Sequence, residues 1–337
     1  MSVAAAPRAA YRVLRRATNR IANLCEAPIL VLAYHRVTTL DRDIQSLAVQ
    51  PERFRAQMRA LKHRYEPLRL DRPWPRLSRP GAIVTFDDGY ADNATEALPI
   101  LESEEVPVTF FVSTGAIEAG REFWWDELER WLLAARAWPS RIQIEPDPLQ
   151  ARKRAAGAPG AMSFPTGTEA ERVQTYRELH AKLRNLPPDR RERLLASVRT
   201  ACGGDTTARP SHRPLTPAEV ARLGGSPWGS VGAHGVTHTP FASLSTEDQA
   251  REMAASRSRL QAWTGAAIDT FSFPFGGRGD FTETSVRLAR EAGFRRIAAN
   301  VPGQARRWAD PYVVPRFLVR DWDGDRFEAE LRRFEVA

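Results

Sequence analysis

Cysteine is nearly absent. Only Cys25 and Cys202 occur in 337 residues, in unrelated surroundings, which argues against a disulfide framework and against a cysteine-based zinc site. No apolar run approaches the roughly 18 residues of a membrane-spanning helix, and there is no apolar core of signal-peptide kind near the N-terminus. No internal repeat is found. No acidic residue precedes Glu26, whereas Arg8, Arg12, Arg15, Arg16 and Arg20 do. What remains is the composition of a soluble globular protein, 42% hydrophobic and 27% charged, long enough for one large domain or two smaller ones. The net charge of +8, mostly from scattered arginine, would suit nucleic acid, anionic lipid or a phosphorylated substrate. No nucleic-acid motif accompanies it, so nucleic acid is not an expected partner.

The chain is organised around Ala82-Ile-Val-Thr-Phe-Asp-Asp-Gly-Tyr90. The first five residues are apolar and β-branched enough to form a buried strand. Asp87 and Asp88 follow at once, and Gly89 permits a sharp turn off the strand end. Two adjacent carboxylates there repel each other, and a bound cation is the usual remedy. The plain alternative is an Asp-Gly turn between strand and helix.

Around this stretch the chain alternates strand and helix. Pro28 to His35 reads as a buried strand ending in a histidine, and Pro51 to Arg64 as a helix. Tyr65 to Leu70 reads as a short strand, and Asp92 or Asn93 as the cap of a helix reaching Glu104. Val106 to Val112 is a further buried strand. This is the βαβ rhythm of a parallel sheet or barrel. From 121 to 213 the rhythm breaks, and the region reads as a mostly helical insertion with helices near Glu169–Leu183 and Pro188–Arg199. Trp124 and Trp125 in it invite a sugar-stacking role, with core packing an equal alternative. The insertion is expected to shape substrate choice and to leave the metal site alone. Alternation resumes with a capping box at Thr216-Pro-Ala-Glu219, a helix from Ser245, and strands at Ile268–Phe273, Phe294–Ala299 and Tyr312–Val319. Residues 1–27 read as a basic arm or amphipathic helix, with Leu14, Ala17, Ile21 and Leu24 at helical spacing. It would touch an anionic membrane or, more simply, pack on the domain's own end.

Six histidines occur in the chain, and His234 and His238 stand four apart after an apolar approach. A helix or tight turn would bring both imidazoles to one side. Two neutral imidazoles and one carboxylate suit a catalytic zinc ion with an open position. One of the two aspartates would then be a ligand and the other a general base.

Thr85-Phe-Asp-Asp-Gly89, followed far downstream by His234-x-x-x-His238, resembles the polysaccharide deacetylase (NodB-homology) family, carbohydrate esterase family 4. The resemblance covers roughly 28–119 and 214–320. It implies an α/β fold of a distorted (β/α)7-type barrel, here formed by 28–120 and 214–337. It also implies metal-dependent hydrolysis of an N-acetyl group from an amino sugar. By the match, Asp87 is the general base, and Asp88, His234 and His238 hold Zn²⁺ or another divalent metal. Tyr90 and Phe275, beside these motifs, join Trp124 and Trp125 as candidate substrate-binding residues. The backbone N–H groups near Gly89 and Tyr90 are candidate oxyanion donors.

Two departures stand out. The family carries an arginine two residues before the proline of a Pro-Tyr/Phe-Gly turn, whereas Ser272 precedes Phe273-Pro-Phe-Gly276 here. Arg316 is the candidate replacement. The late Leu-x-His motif that supplies the general acid is missing after Phe294. Leu32-Ala-Tyr-His-Arg-Val37 instead resembles the N-terminal motif of the circularly rearranged branch, which makes His35 the candidate acid. Of the other histidines, His63 ends a helix, and His180 and His212 fall in the insertion.

The expected function is therefore a metal-dependent N-deacetylase. Its partner would be an N-acetylated sugar, nucleotide sugar, lipid-linked sugar or glycoside. The alternatives are a catalytically silent glycan-binding member of the fold, or a hydrolase of another non-peptide C–N bond. The expected place is the cytoplasm, with peripheral contact at the inner membrane surface through the N-terminal helix.

Overall fold

The computed structural model describes residues 17–134, 136–145 and 160–337. Eight parallel strands form its centre: β1 (Ile29–Tyr34), β2 (Gly81–Phe86), β3 (Val108–Val112), β4 (Gly229–Ala233), β5 (Thr270–Ser272), β6 (Arg296–Ala299), β7 (Val314–Pro315) and β8 (Phe317–Leu318). They lie in the order β7-β6-β5-β4-β3-β2-β1-β8, and every pair is parallel. The two ends of that row, β7 and β8, are separated in the chain by Arg316 alone. One short segment thus pairs with β6 on one side and with β1 on the other, and the sheet curls into a nearly closed barrel. Counting that segment as one stave gives the expected distorted (β/α)7-type barrel. The strand expected over Tyr312–Val319 is broken at Arg316 because it must serve both neighbours.

Parallel strands buried on both faces read as continuous apolar runs, and β1 and β2 are buried at every position. Alternation along each strand still separates two cores. Leu30, Leu32, Tyr34, Val84 and Phe86 face the surrounding helices, and Ile29, Val31, Ile83, Phe111, Ala298 and Val314 fill the barrel. The same two-residue period carries the inward face from Ile83 through Thr85 to Asp87, and from Val31 through Ala33 to His35. Thr85, buried between strands, donates its hydroxyl to Leu32 O at 2.8 Å.

Helices cover the barrel as the sequence pattern suggested, including Pro51–Arg64, the Thr216–Glu219 capping box and the Ser245 cap. Three local readings differ. Only Glu66–Pro67 of the expected strand pairs with β2. Asp92 does not cap the helix that follows it. Its carboxylate meets Arg36 at 2.9 Å and accepts from Val37 N at 3.1 Å, because a buried arginine has the stronger claim on a buried carboxylate. Between 121 and 213 the helices Trp124–Leu132, Glu169–Arg184 and Pro188–Ala201 are joined by an unanticipated antiparallel hairpin, Arg141–Ile144 with Met162–Pro165. These elements share a second core that reaches the barrel through Tyr90 and Phe275.

Arg8, Arg12, Leu14, Arg15 and Arg16 lie outside the described residues. The helix over 17–25 packs on the domain's own end: Asn19 and Asn23 donate to the carbonyls of Ala337 and Glu335 at 2.6 and 2.7 Å. Ile21 and Leu24 of this helix are 66% and 87% exposed, leaving an apolar edge. Among the described residues no helix is long and apolar enough to cross a membrane.

Candidate active site

The site forms where strand ends meet. Asp87 N donates to Tyr34 O at 3.0 Å, continuing the β1–β2 ladder by one step. Asp88 then turns the chain with a φ of 74°, and Gly89 continues at 98°. A Cβ on Gly89 would lie 3.1 Å from Val112, so both conformation and space favour glycine there. After β4, His234 N donates to Val112 O, and the chain turns tightly through Gly235 (φ 74°) to His238 (φ 50°). That turn places the two imidazoles with ring centres 4.9 Å apart.

Asp88, His234 and His238 each offer a ligand atom, all within 4.8 Å of one another. Asp88 Oδ1 lies 3.1 Å from His238 Nε2 and 3.6 Å from His234 Nε2. His234 Nδ1 sits 2.8 Å from Ser272 O, which directs its Nε2 towards the cluster. Burial lowers the His238 pKa despite the Asp88 carboxylate, favouring the neutral imidazole that a metal requires. A buried carboxylate with two imidazoles is a donor set suited to zinc. A second grouping, Asp126, Glu129 and His212, is already served by other partners. Arg209 lies 3.5 Å from Glu129, and Tyr90 donates to Asp126.

Asp87 is held differently. Arg316 donates to its two oxygens at 2.7 and 2.6 Å, and also to Thr85 Oγ1 at 3.1 Å and Ser272 Oγ at 2.8 Å. Burial alone would raise the Asp87 pKa, but the Arg316 guanidinium reverses this and holds it below the ordinary carboxylate range. Ser272 occupies the position where the resemblance led an arginine to be expected. Its small side chain leaves room for Arg316, which arrives from the closing stave.

The aspartates, His234, His238 and His35 line one cavity of about 160 Å³, with Phe275, Trp125, Gln45, Leu47, Asn300 and Leu318 completing the walls. The His35 ring makes no hydrogen bond with a described residue, whereas its backbone O accepts from Asn93 at 2.8 Å. Burial lowers its pKa, and the Asp88 and Asp87 carboxylates oppose that. Phe275, at a φ of 59°, is fixed by Asn300, which donates to its carbonyl at 2.7 Å. Asn300 was not singled out in the sequence, although its place directly after an apolar strand matches that of Asp87 and His35.

Other candidates lie elsewhere. Tyr90 is 1% exposed, donates to Asp126 Oδ2 at 2.6 Å and accepts from Trp125 Nε1 at 2.7 Å, so it supports the wall from behind. Gly89 N is engaged with Asp87 O at 3.0 Å and is not a free oxyanion donor. Phe123 stacks on Trp125 with ring centres 4.9 Å apart, and His180 lies over Trp124 at the same distance. Both tryptophans are core residues. Trp125 also reaches the cavity, 4.7 Å from the His238 ring, whereas Trp124 faces a neighbouring cavity.

The model of the polysaccharide deacetylase family matches residues 76–135 and 161–297. The chain belongs to that family. Among solved structures, the fold resembles Streptococcus pyogenes deacetylase PplD, determined with acetate (TM-score 0.57, 15% identity, covering 92% of this chain and 99% of that one). It also resembles IcaB from Ammonifex degensii (0.55, 17%, 92% and 98%). A third is a de-N-acetylase from Aggregatibacter actinomycetemcomitans (0.53, 13%, 91% and 99%). No curated protein matches the sequence. The family's reaction is deacetylation of glycans, and the chain is accordingly an N-deacetylase of the hydrolase class.

Proposed function

We propose that this deacetylase removes the acetyl group from an N-acetylated amino sugar with a divalent metal, zinc by its donor set, held by Asp88, His234 and His238. The observation that carries the reading is the juxtaposition of this cluster with Asp87, a buried carboxylate held ionised by Arg316 in the same cavity. When bound, the metal supplies Lewis-acid polarisation of the amide carbonyl and activation of water.

The remaining work falls to the chain's own residues. Asp87 accepts the proton of the attacking water, using lone pairs left free by its two bonds to Arg316. Arg316, anchored on Thr85 and Ser272, fixes the carboxylate's plane. The tetrahedral intermediate expels an amine, a poor leaving group until it gains a proton, and His35 faces the same cavity with an uncommitted imidazole to give it. Phe275, Trp125 and Leu318 form an apolar wall against which an acetyl methyl group fits.

Acetate release from N-acetylated nucleotide sugars, lipid-linked sugars, glycosides and oligosaccharides would identify the substrate, with Asp87→Asn as the inactive control. Metal uptake with no acetate release from any of them would favour a binding role. The reading includes a cytoplasmic setting and peripheral membrane contact, the latter motivated by exposed Ile21 and Leu24 beside Arg20. Flotation with anionic vesicles tests that contact.

A further inference from the structure

The residue that carries the second imidazole sits in an uncomfortable place. His238 has a φ of 50°, a left-handed conformation that side chains disfavour, so its surroundings must impose it. Two side chains from different helices grip the turn that contains it. From Thr246–Thr264, Glu252 accepts hydrogen bonds from Val236 N at 2.6 Å, Thr237 N at 3.1 Å and Thr237 Oγ1 at 2.8 Å. From Pro188–Ala201, Arg191 donates to Thr237 O at 2.7 Å and to Thr239 Oγ1 at 3.0 Å. Thr237 Oγ1 and Thr239 Oγ1 lie 2.8 Å apart and close the ring of contacts.

Arg191 is 3% exposed and, among the described residues, makes no ion pair within 4 Å. Glu192 and Glu252 act on this guanidinium only through space and the Trp124 ring lies 5.6 Å from its centre, so its direct hydrogen bonds go to the turn. Its donors go to the residues immediately before and after His238. It also forms part of the wall of a cavity of about 360 Å³ shared with Trp124, Thr237 and His238, so it stands between the 121–213 region and the metal cluster.

We infer that Arg191 is a positioning residue for the metal site: together with Glu252 it clamps the 236–239 turn so that His238 presents Nε2 to the ion. The inference rests on the metal reading above. It also revises the expectation that the 121–213 region leaves the metal site alone, because one of its helices supplies half of the clamp.

The test is zinc affinity of purified, metal-stripped protein, measured by competition with a chromophoric chelator. The proteins are wild type, Arg191→Met, Thr239→Val and the double variant, each checked for folding by its metal-free melting curve. A residue that supports a ligand from behind typically changes metal affinity about 10- to 100-fold. Arg191→Met should therefore weaken zinc by at least about tenfold while the metal-free protein stays folded. Thr239→Val should weaken it less, and the double variant should fall short of the sum of the two, because both changes break the Arg191–Thr239 contact. A folded Arg191→Met with zinc affinity within about twofold of wild type overturns the inference, as do fully additive effects. If Arg191→Met does not fold, Thr239→Val decides, and unchanged affinity there overturns it. A wild-type protein that takes up no zinc at all removes the metal reading, and the clamp with it.

Discussion

Arg316 and Asp87 face each other through two charge-assisted hydrogen bonds of 2.7 and 2.6 Å, with Arg316 and Asp87 each 1% exposed. They come from the two strands that flank β1, on the stave that closes the barrel and on the one bearing the Asp-Asp pair. Breaking such a pair leaves a buried charge uncompensated, which typically costs about 3–5 kcal/mol. Arg316→Met should lower folding stability by that order and reduce kcat far more than it raises KM. Arg316→Lys should recover part of the stability, since a point charge cannot reproduce the guanidinium fork. A variant with wild-type turnover would detach the pair from catalysis.

The exchange of positions can be tested directly. Ser272 already touches Arg316 at 2.8 Å, so an arginine at 272 would start beside the same carboxylate. Arg316→Ser combined with Ser272→Arg should regain activity relative to Arg316→Ser alone. If the double variant is no better, the route from the closing stave is the only one that this barrel accepts.

His35 should behave as the proton donor. Replacement by Gln should cut kcat by about 10²–10⁴, the usual worth of acid–base catalysis, with metal content unchanged. The loss should shrink on an activated aryl acetate, whose leaving group departs without a proton. An equal loss on both substrates would point to a structural role for the ring.

Asp126 makes a prediction about stability and pH. Burial pushes its pKa up to about 8, against the pull of Arg36. A raised carboxyl pKa means that the folded state binds more protons than the unfolded chain between about pH 4 and 8. Stability contributed by this group is therefore present below that window and lost as pH rises through it, at up to about 1.4 kcal/mol per pH unit. Asp126→Asn should flatten that slope in denaturant titrations taken across the window. An unchanged slope would mean that Asp126 is ionised in the folded protein.

Much of this was legible because it was local. An apolar run ending in Asp87-Asp88-Gly89, and another ending in His35, announce strand ends on one face of a parallel barrel, since strand periodicity fixes where the next side chains point. The His234–His238 spacing carried the candidate ligand pair without showing that a tight turn, not a helix, delivers it. Arg316 could be named as a candidate, but its hold on Asp87 depends on a strand that switches neighbours, and no local pattern records that. Arg191 and Glu252 were invisible for the same reason, each lying on a helix whose own pattern is unremarkable. The cap expected at Asp92 or Asn93 does not form because the partner of Asp92, Arg36, comes from a strand far away in the chain. The hairpin at Arg141–Ile144 was hidden in a stretch rich in proline, glycine and arginine.

The most direct test of the account is the metal dependence of acetate release. Purified protein should bind about one divalent ion per chain, lose acetate release from an N-acetylated sugar on treatment with chelator, and regain it on adding zinc or a substitute ion. His238→Ala should bind the ion weakly while its metal-free melting temperature stays near that of wild type. Undiminished acetate release from protein shown to be free of metal would contradict the account.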